Sequence, residues 1–328
     1  MHAIVVEQER LVWRECPAPE GPAAGEVRLR VAWAGVNRAD LMQRAGHYPA
    51  PPGASEILGL EVSGTVVEVG ADVERLRLGD KVCALLAGGG YAEEVVVDAR
   101  QVLPLPEGFG LREAAALPEV FATAWLNLFM EGQLAPGERV LLHAGASGVG
   151  TAAIQLCRAL AHPCFVTAGS DAKLAACRSL GADGGFNRHQ GSFVEAVKTW
   201  GGADLILDPV GGTYLADNQR VLNTDGRLVL IGLMGGRRAE LDMGRMLMKR
   251  QRLIGSTLRA KPPAAKGAIL DALLTHVWPR LASGEIRPLV DRTWPIDQAE
   301  AAHAHVKQDA NIGKVLLAVS GEGCGAPR

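Results

Sequence analysis

The chain of 328 residues lacks several features that would narrow its role at once. No apolar run reaches the roughly 18 residues that a membrane helix needs, so no membrane span is expected. Neither charge is in excess: 34 Lys and Arg stand against 36 Asp and Glu, a net charge of −2. No global basic field therefore advertises nucleic acid or an anionic membrane as partner. The six cysteines, at 16, 83, 157, 164, 177 and 324, never fall in C-x-x-C spacing. That argues against a zinc knuckle and a dithiol redox site, and suits reduced thiols in a cytoplasmic protein. Met1-His2-Ala3-Ile4-Val5-Val6-Glu7 meets charge too early for the core of a signal peptide. There is no internal repeat, no flavin motif and no evident nucleophile triad. What remains is an ordinary globular balance, 48% hydrophobic and 21% charged, long enough for two domains, with 40 glycines and 18 prolines that imply many turns.

Up to about Glu113 the chain reads as short strands. Val27, Leu29, Val31 and Trp33 alternate with Glu26, Arg28, Arg30 and Ala32, the period of a half-buried strand. Glu61 to Val69, Asp80 to Leu85 and Tyr91 to Val97 are further strands, punctuated by glycine turns. This pattern predicts a small barrel-like β domain. A helix over Ala114 to Met130, interrupted early by Pro118, opens a different texture. Strands at 138–143, 164–168, 185–187, 203–208, 226–231 and 252–258 alternate with helices at 148–161, 171–180, 192–200 and 213–222. Ser192-Phe193-Val194-Glu195 reads as a capping box. Apolar strands such as Leu205-Ile206-Leu207 suit a parallel sheet covered on both faces. Residues 265–283 read as one more helix, and Arg287 to Trp294 and Lys314 to Val319 as strands returning to the first domain. The fold class is α/β: a discontinuous β-barrel-type substrate domain of residues 1–117 and 259–328, and a doubly wound parallel-sheet domain of residues 118–258. The Gly/Pro-rich tail from Ser320 to Arg328 reads as loose.

The most specific local feature is His143-Ala144-Gly145-Ala146-Ser147-Gly148-Val149-Gly150. An apolar strand runs into small residues, and an amphipathic helix opens behind them. Small residues let the backbone approach a pyrophosphate, and the helix start offers free N–H groups to it. The usual G-x-G-x-x-G is varied to Ala144-x-x-Ser147-x-x-Gly150. At the end of the second strand, where an acid would hold the ribose 2′-hydroxyl of NAD, stand Gly169 and Ser170, with Lys173 one turn on. A small residue, a hydroxyl and a cation favour the 2′-phosphate of NADPH. Asp171, if turned to the ribose, would favour NAD instead. The alternative makes Ser170 or Asp171 a helix cap and Lys173 a solvated lysine. Arg188, after the third strand, either reaches the same phosphate or is a solvated loop residue.

Ordered segments across both domains resemble the zinc-free quinone oxidoreductase (zeta-crystallin-like) family of the medium-chain dehydrogenase/reductase superfamily. The likeness is strongest to the tumour-suppressor-inducible branch, in which the Ser147 variant recurs. It is carried by Asn37-Arg38-Ala39-Asp40-Leu41-Met42-Gln43-Arg44, Pro51-Pro52-Gly53-Ala54-Ser55, Ile57-Leu58-Gly59-Leu60-Glu61, the loop at 143–156, Thr167-Ala168-Gly169-Ser170, Gly232-Leu233-Met234-Gly235-Gly236 and Asn311-Ile312-Gly313-Lys314. The resemblance implies a GroES-like first domain and a Rossmann second domain. Zinc-dependent relatives carry Cys near the position of Asn37 and Gly-His-Glu where this chain has Gly59-Leu60-Glu61. They also have four close cysteines after the first sheet, whereas none lies between Cys83 and Cys157 here. No metal is expected.

The resemblance implies hydride transfer from NADPH to a quinone bound in the interdomain cleft. It places Asn37 and Asp40 near the nicotinamide. Asn37 is either a hydrogen-bond partner of the acceptor or a turn residue, and Asp40 equally a cap of the helix beginning at Leu41. Tyr48, 11 residues past Asn37, is a proton donor, as in related enoyl-thioester reductases, or an aromatic wall. His47 reads as surface. Thr123, Val210, Gly232, Leu233, Met234, Leu258 and Asn311 are the remaining candidates at the cofactor. Lys314 is either there or a strand-edge charge. Two rivals stand beside quinone reduction: an enoyl-thioester reductase, and a weakly catalytic crystallin-like protein binding NADPH or RNA. A homodimer through Arg252 to Leu258 is expected, as relatives pair their nucleotide domains there.

Overall fold

Two short strands open the chain. β1 (His2–Glu7) and β2 (Arg10–Glu15) form an antiparallel hairpin. Its turn residues Gln8 and Glu9 both take positive φ, 48° and 64°, the backbone twist that two-residue hairpins need. β3 (Glu26–Val36), β4 (Glu61–Val69), β5 (Lys81–Leu85), β6 (Glu94–Asp98) and β7 (Val102–Pro104) follow. The second sheet takes β8 (Val140–Leu142), β9 (Cys164–Ala168), β10 (Gly184–Asn187), β11 (Ala203–Asp208), β12 (Leu222–Leu230) and β13 (Arg252–Gly255). β14 (Val290–Pro295) and β15 (Lys314–Ala318) complete the count. The computed structural model describes residues 1–320; of the tail read as loose, all but Ser320 lies outside them.

The chain divides into two units: Met1–Ala122 with the chain from Arg259 onward, and Thr123–Leu258. In the first, the strands run in the order β14-β15-β3-β4-β5-β7, with β6 also paired to β3. β15 lies antiparallel to β3 and parallel to β14, so the C-terminal segment is built into this sheet. Val27, Leu29, Val31, Val62, Val82, Val315 and Leu317 meet in its core, the period-two face that the alternation of β3 anticipates.

The second unit is a six-stranded parallel sheet in the order β10-β9-β8-β11-β12-β13. The order reverses between β8 and β11, and in such sheets ligands lie beyond the strand C-termini at that reversal. Leu141, Phe165, Ile206 and Leu228 are buried in its core with Phe193 and Val197.

Several elements differ from the sequence reading. The helix over 114–130 is three pieces, Leu111–Ala114, Pro118–Trp125 and a π-helical turn Leu126–Glu131; the residue before a proline resists the helical conformation, so the chain restarts at Pro118. The helix at 265–283 is two, Pro263–His276 and Trp278–Ala282, because Pro279 cannot donate back into the preceding turn. Ser192 caps no box: its hydroxyl donates to Asp217 at 2.7 Å, Phe193 is the N-cap, and Glu195 pairs with Lys198. β13 ends at Gly255, short of Leu258. The β1–β2 hairpin and the helices Met243–Lys249 and Ala299–Lys307 have no counterpart in that reading.

Candidate functional site

In the second unit the strand ends present three loops. After β8, Ala144 takes φ +53° where the common fingerprint has glycine. Ser147 is the N-cap of helix Gly148–Ala159, and its Oγ accepts from the Gly150 N–H at 3.1 Å. The serine thus satisfies one donor of the helix start and leaves the N–H groups of 148 and 149 without a capping side chain. A Cβ on Gly150 would lie 2.5 Å from the Ala144 carbonyl oxygen. The cradle therefore tolerates no side chain there, which fits a pyrophosphate lying on backbone.

After β9, Ser170 caps helix Asp171–Leu180, its Oγ accepting from the Lys173 N–H at 3.2 Å. Asn187 donates to Asp171 Oδ1 at 3.0 Å, which ties that carboxylate to its neighbouring strand. Lys173 is 9% exposed, so it is no solvated lysine. The pairing Asn187↔Ala168 brings Arg188 beside Gly169 at adjoining strand ends, and Arg188 is exposed.

The third loop is held from below. Asp208 Oδ1 accepts from Val210 and Gly211 N–H at 2.6 and 3.1 Å. Its Oδ2 accepts from Asn218, whose Oδ1 is 2.7 Å from His143 Nε2, and His143 Nδ1 is 2.9 Å from the Thr167 hydroxyl. Burial holds the His143 ring below the usual histidine range, so it serves as a neutral link between loops. The turn 209–211 is bonded in turn to 234–235, through Met234 N–H to Pro209 O and Gly235 N–H to Val210 O. A Cβ on Gly232 would meet Pro209. Met234 is exposed, Leu258 buried and Thr123 half-buried. Asn311 belongs to the first unit and donates to Gly313 O at 2.7 Å.

The first unit holds a buried charged cluster. Lys314, 3% exposed, donates to Val36 O at 2.9 Å and Asn37 Oδ1 at 2.7 Å, and pairs with Glu61 at 2.5 Å. All three of its donors are used. β15 is an interior strand, so Lys314 is not a strand-edge charge. Asn37 Nδ2 donates to Glu61 Oε1 at 3.0 Å and to Gly35 O at 3.4 Å. Its amide is committed to these neighbours. Asn37 is the N-cap of helix Arg38–Arg44, which begins three residues before Leu41. Asp40 is fully buried and accepts from the N–H groups of Asn37 and Gly59 and from the Tyr91 hydroxyl. Capping is thus what its hydrogen bonds show. Burial pushes its carboxyl up to about 6 against the pull of the two backbone donors. Tyr91, giving its proton to Asp40, takes a bond from His303 Nε2 at 3.2 Å, and burial drives His303 down to about 3.

Beside this cluster, Tyr48 lies with the Arg259 guanidinium over its ring at 5.3 Å. Arg259 is fixed by Ala87 O, Tyr48 O and Gln43 Oε1. Burial raises the Tyr48 phenol, Arg259 lowers it and Glu119 raises it again. Glu119, in the first turn of helix Pro118–Trp125, donates its backbone N–H to Glu61 Oε2 at 2.9 Å. Its carboxyl, though part of the residue is exposed, is pushed up to about 8 by burial first and then by Glu61. Glu61, Glu119, Arg259 and Lys266 were not among the expected site residues. The one local signal was a charge in an otherwise apolar strand, as in Lys314-Val315-Leu316-Leu317.

Two family models match, the alcohol dehydrogenase GroES-like domain over 23–107 and the zinc-binding dehydrogenase over 148–273. The synaptic vesicle membrane protein VAT-1 homolog of Rattus norvegicus is 33% identical over 91% of this chain and 78% of its own length. The chain belongs to the medium-chain dehydrogenase/reductase superfamily. It is an NAD(P)H-binding oxidoreductase of that superfamily with the α/β architecture its sequence implies. Among solved structures, the quinone oxidoreductase of Thermus thermophilus, described with its NADPH complex, superposes with TM-score 0.82 at 35% identity, covering 97% of this chain and all of that one. The CurK enoyl reductase gives 0.84 at 27% identity, covering 97% and 99%. The resemblance to the tumour-suppressor-inducible branch stays an inference from sequence segments.

The zinc implied by the second family model does not fit these residues. Among the described residues no three His, Cys, Asp or Glu side chains are grouped to hold a metal. Leu60 offers no ligand, Asn37 is bonded on both sides, and the Lys314 ammonium already neutralises Glu61.

Proposed function

We propose that the protein is an NADPH-dependent, zinc-independent quinone reductase. The observation that carries the cofactor choice is the end of β9. Gly169 and Ser170 leave room at the ribose, Asp171 is held by Asn187, and Arg188 stands at the adjoining strand end with Lys173 one turn along. Charge-assisted bonds from Lys173 and Arg188 would hold a 2′-phosphate. Ala144, Ser147, Gly148, Val149 and Gly150 hold the pyrophosphate. Val210, Gly232, Met234, Leu258 and Thr123 serve the nicotinamide half. When bound, NADPH supplies a hydride from its nicotinamide ring.

The acceptor is assigned to the groups of the first unit. Tyr48, with its phenol raised and Arg259 over its ring, is better suited to flank a flat quinone than to give up a proton at neutral pH. Asn37 and Asp40 position their neighbours: Asn37 fixes Lys314 and Glu61, and Asp40 fixes the start of the helix. A quinone spreads the incoming charge over its oxygens and needs no proton placed on carbon. The likeness to the CurK enoyl reductase supports enoyl-thioester reduction as the second reading. NADPH oxidation assayed with a panel of quinones and of enoyl-thioesters separates them. Turnover of quinones is expected; turnover of thioesters alone overturns the assignment.

The active form is a homodimer paired through the free edge of β13. Leu253 is exposed on that strand, and Met243, Leu247 and Met248 are exposed on the preceding helix. An apolar sheet edge of this kind favours a covering partner. Sedimentation at micromolar concentration should show dimers; monomers alone would refute it.

A further inference from the structure

Among the described residues two arginines are buried, and their charges are met differently. Arg227 on β12, 4% exposed, faces the Glu138 carboxylate at 2.6 Å. Arg259, 3% exposed, has no carboxylate partner among the described residues. Its Nε donates to Ala87 O at 2.8 Å, its Nη1 to Tyr48 O at 3.3 Å and its Nη2 to Gln43 Oε1 at 2.7 Å. All three acceptors are neutral. They use three of the guanidinium N–H groups and leave the others without a described partner. A buried charge is costly unless a counter-charge or enough dipoles replace the water it has lost. Carbonyl dipoles hold this cation in place and leave its charge unneutralised.

Three segments of the first unit converge on Arg259. Gln43 lies in helix Arg38–Arg44, Tyr48 in the loop after it, and Ala87 just beyond β5. Gln43 Nε2 donates to Glu56 O at 2.9 Å, so the carbonyl end of its amide is the one turned to the guanidinium. Pro49, Pro51 and Pro52 fix the backbone that follows Tyr48. The guanidinium lies over the Tyr48 ring, 5.3 Å from its centroid. A flat cation on an aromatic face is a favourable pairing and holds the ring in one orientation. Arginine suits the place because its plane stacks on the ring while its fork takes several acceptors at once.

We infer that Arg259 is a specificity-determining residue: its unneutralised charge, held against Tyr48, makes the acceptor site prefer flat aromatic acceptors that carry an anionic group, such as a sulfonate or carboxylate on a quinone ring, over neutral ones. This names the substrate class within the quinone-reductase reading and rests on the assignment of Tyr48 to the acceptor. With the guanidinium on one face of the ring, a flat ligand takes the other. Stacking on that face is open to any aromatic acceptor. An anionic group gains more, because a buried cation acts through a medium of low dielectric, where its attraction is stronger than in water. The cation in turn receives the counter-charge that the fold does not supply.

Two acceptors with one ring system test the inference: menadione, which is neutral, and a naphthoquinone sulfonate, which is anionic. The ratio of their kcat/KM values, sulfonate over menadione, should fall about tenfold in Arg259→Gln. Arg259→Lys, which keeps the charge, should recover part of that preference. An arginine that only ties the three segments together would weaken both acceptors alike; an unchanged ratio in Arg259→Gln therefore overturns the proposal and leaves the quinone-reductase reading standing. A second measurement needs neither turnover nor a folded variant. Naphthalene sulfonate, which accepts no hydride, should bind the full wild-type chain in the presence of NADP⁺ about tenfold more tightly than uncharged naphthalene methanol, read by the fluorescence of the ring. Equal affinity for the two overturns the proposal. Sulfonate binding that is lost in Arg259→Gln, in a protein that reduces neither quinone, upholds the anion preference and overturns the quinone reading instead.

Discussion

The two units bury polar groups in opposite ways. Beneath the cofactor loops, Asp208, Asn218, His143 and Thr167 form a chain in which every member is bonded and three of the four are neutral. In the first unit, Asp40, Glu61, Glu119, Lys266 and Lys314 bring five ionisable groups within reach of one another's charge. A closed, largely neutral network fixes loop geometry and has no capacity left for chemistry. A charged cluster is less favourable to fold but has the capacity to take up or release a proton. The difference teaches that the second unit fixes its loops with hydrogen bonds between mostly neutral groups, while the first fixes its strands with buried charges.

The largest break should come from the charged side. Lys314→Met leaves Glu61 buried without its cation and Asn37 without its partner. Removing one member of a buried ion pair costs about 3–5 kcal/mol, and denaturant unfolding of the variant should show that loss. On the neutral side, Asn218→Ala strands one lone pair of Asp208 and one nitrogen of His143. An unsatisfied buried group costs about 1–3 kcal/mol. The same measurement should therefore give the smaller figure, with NADPH affinity falling as the 209–211 turn loosens. If the neutral network proved the more costly to break, the contrast between the units would be wrong.

The third break is selective. Lys173→Ala removes one cation from the proposed 2′-phosphate site, and charge-assisted bonds contribute about 1.5–3 kcal/mol. NADPH affinity should fall at least tenfold, while NADH affinity stays within about twofold. Equal losses for both cofactors would show that Lys173 serves the helix rather than the phosphate.

The two units were also unequally legible in the sequence. The cofactor loop is local: a strand, a run of small residues and a helix lie in consecutive positions, so periodicity and residue size suffice. β9 and β11 occupy the expected residues, 164–168 and 203–208. The charged cluster is not local. Glu119 follows a proline at a helix start, Lys266 lies in a distant helix, and β15 carries Lys314 into the sheet from the C-terminal segment. Nothing in the neighbours of Glu119 or Lys266 says which charges each will meet, Glu61 and Lys314 for the one and Arg259 for the other. Misreadings had local causes too: Ser192 matched a cap pattern, but the nearby Asp217 took its hydroxyl proton.

The smallest expected effect sharpens the comparison through pH. Glu119 has an ordinary value of 4.5 and is held at about 8 in the folded protein, chiefly by burial. The fold therefore prefers the protonated form. The contribution of this group to stability is fully present below pH 4.5 and is lost as pH rises through about 8, because the unfolded chain releases a proton that the folded chain retains. Glu119→Gln has no proton to lose. Its melting temperature relative to wild type should climb between pH 5 and 8 and then level off, by about 3 °C, a shift equivalent to about 1 kcal/mol. A flat difference for Glu119→Gln would mean that water reaches the carboxyl freely, and the charged cluster would then be no more strained than the network under the cofactor loops.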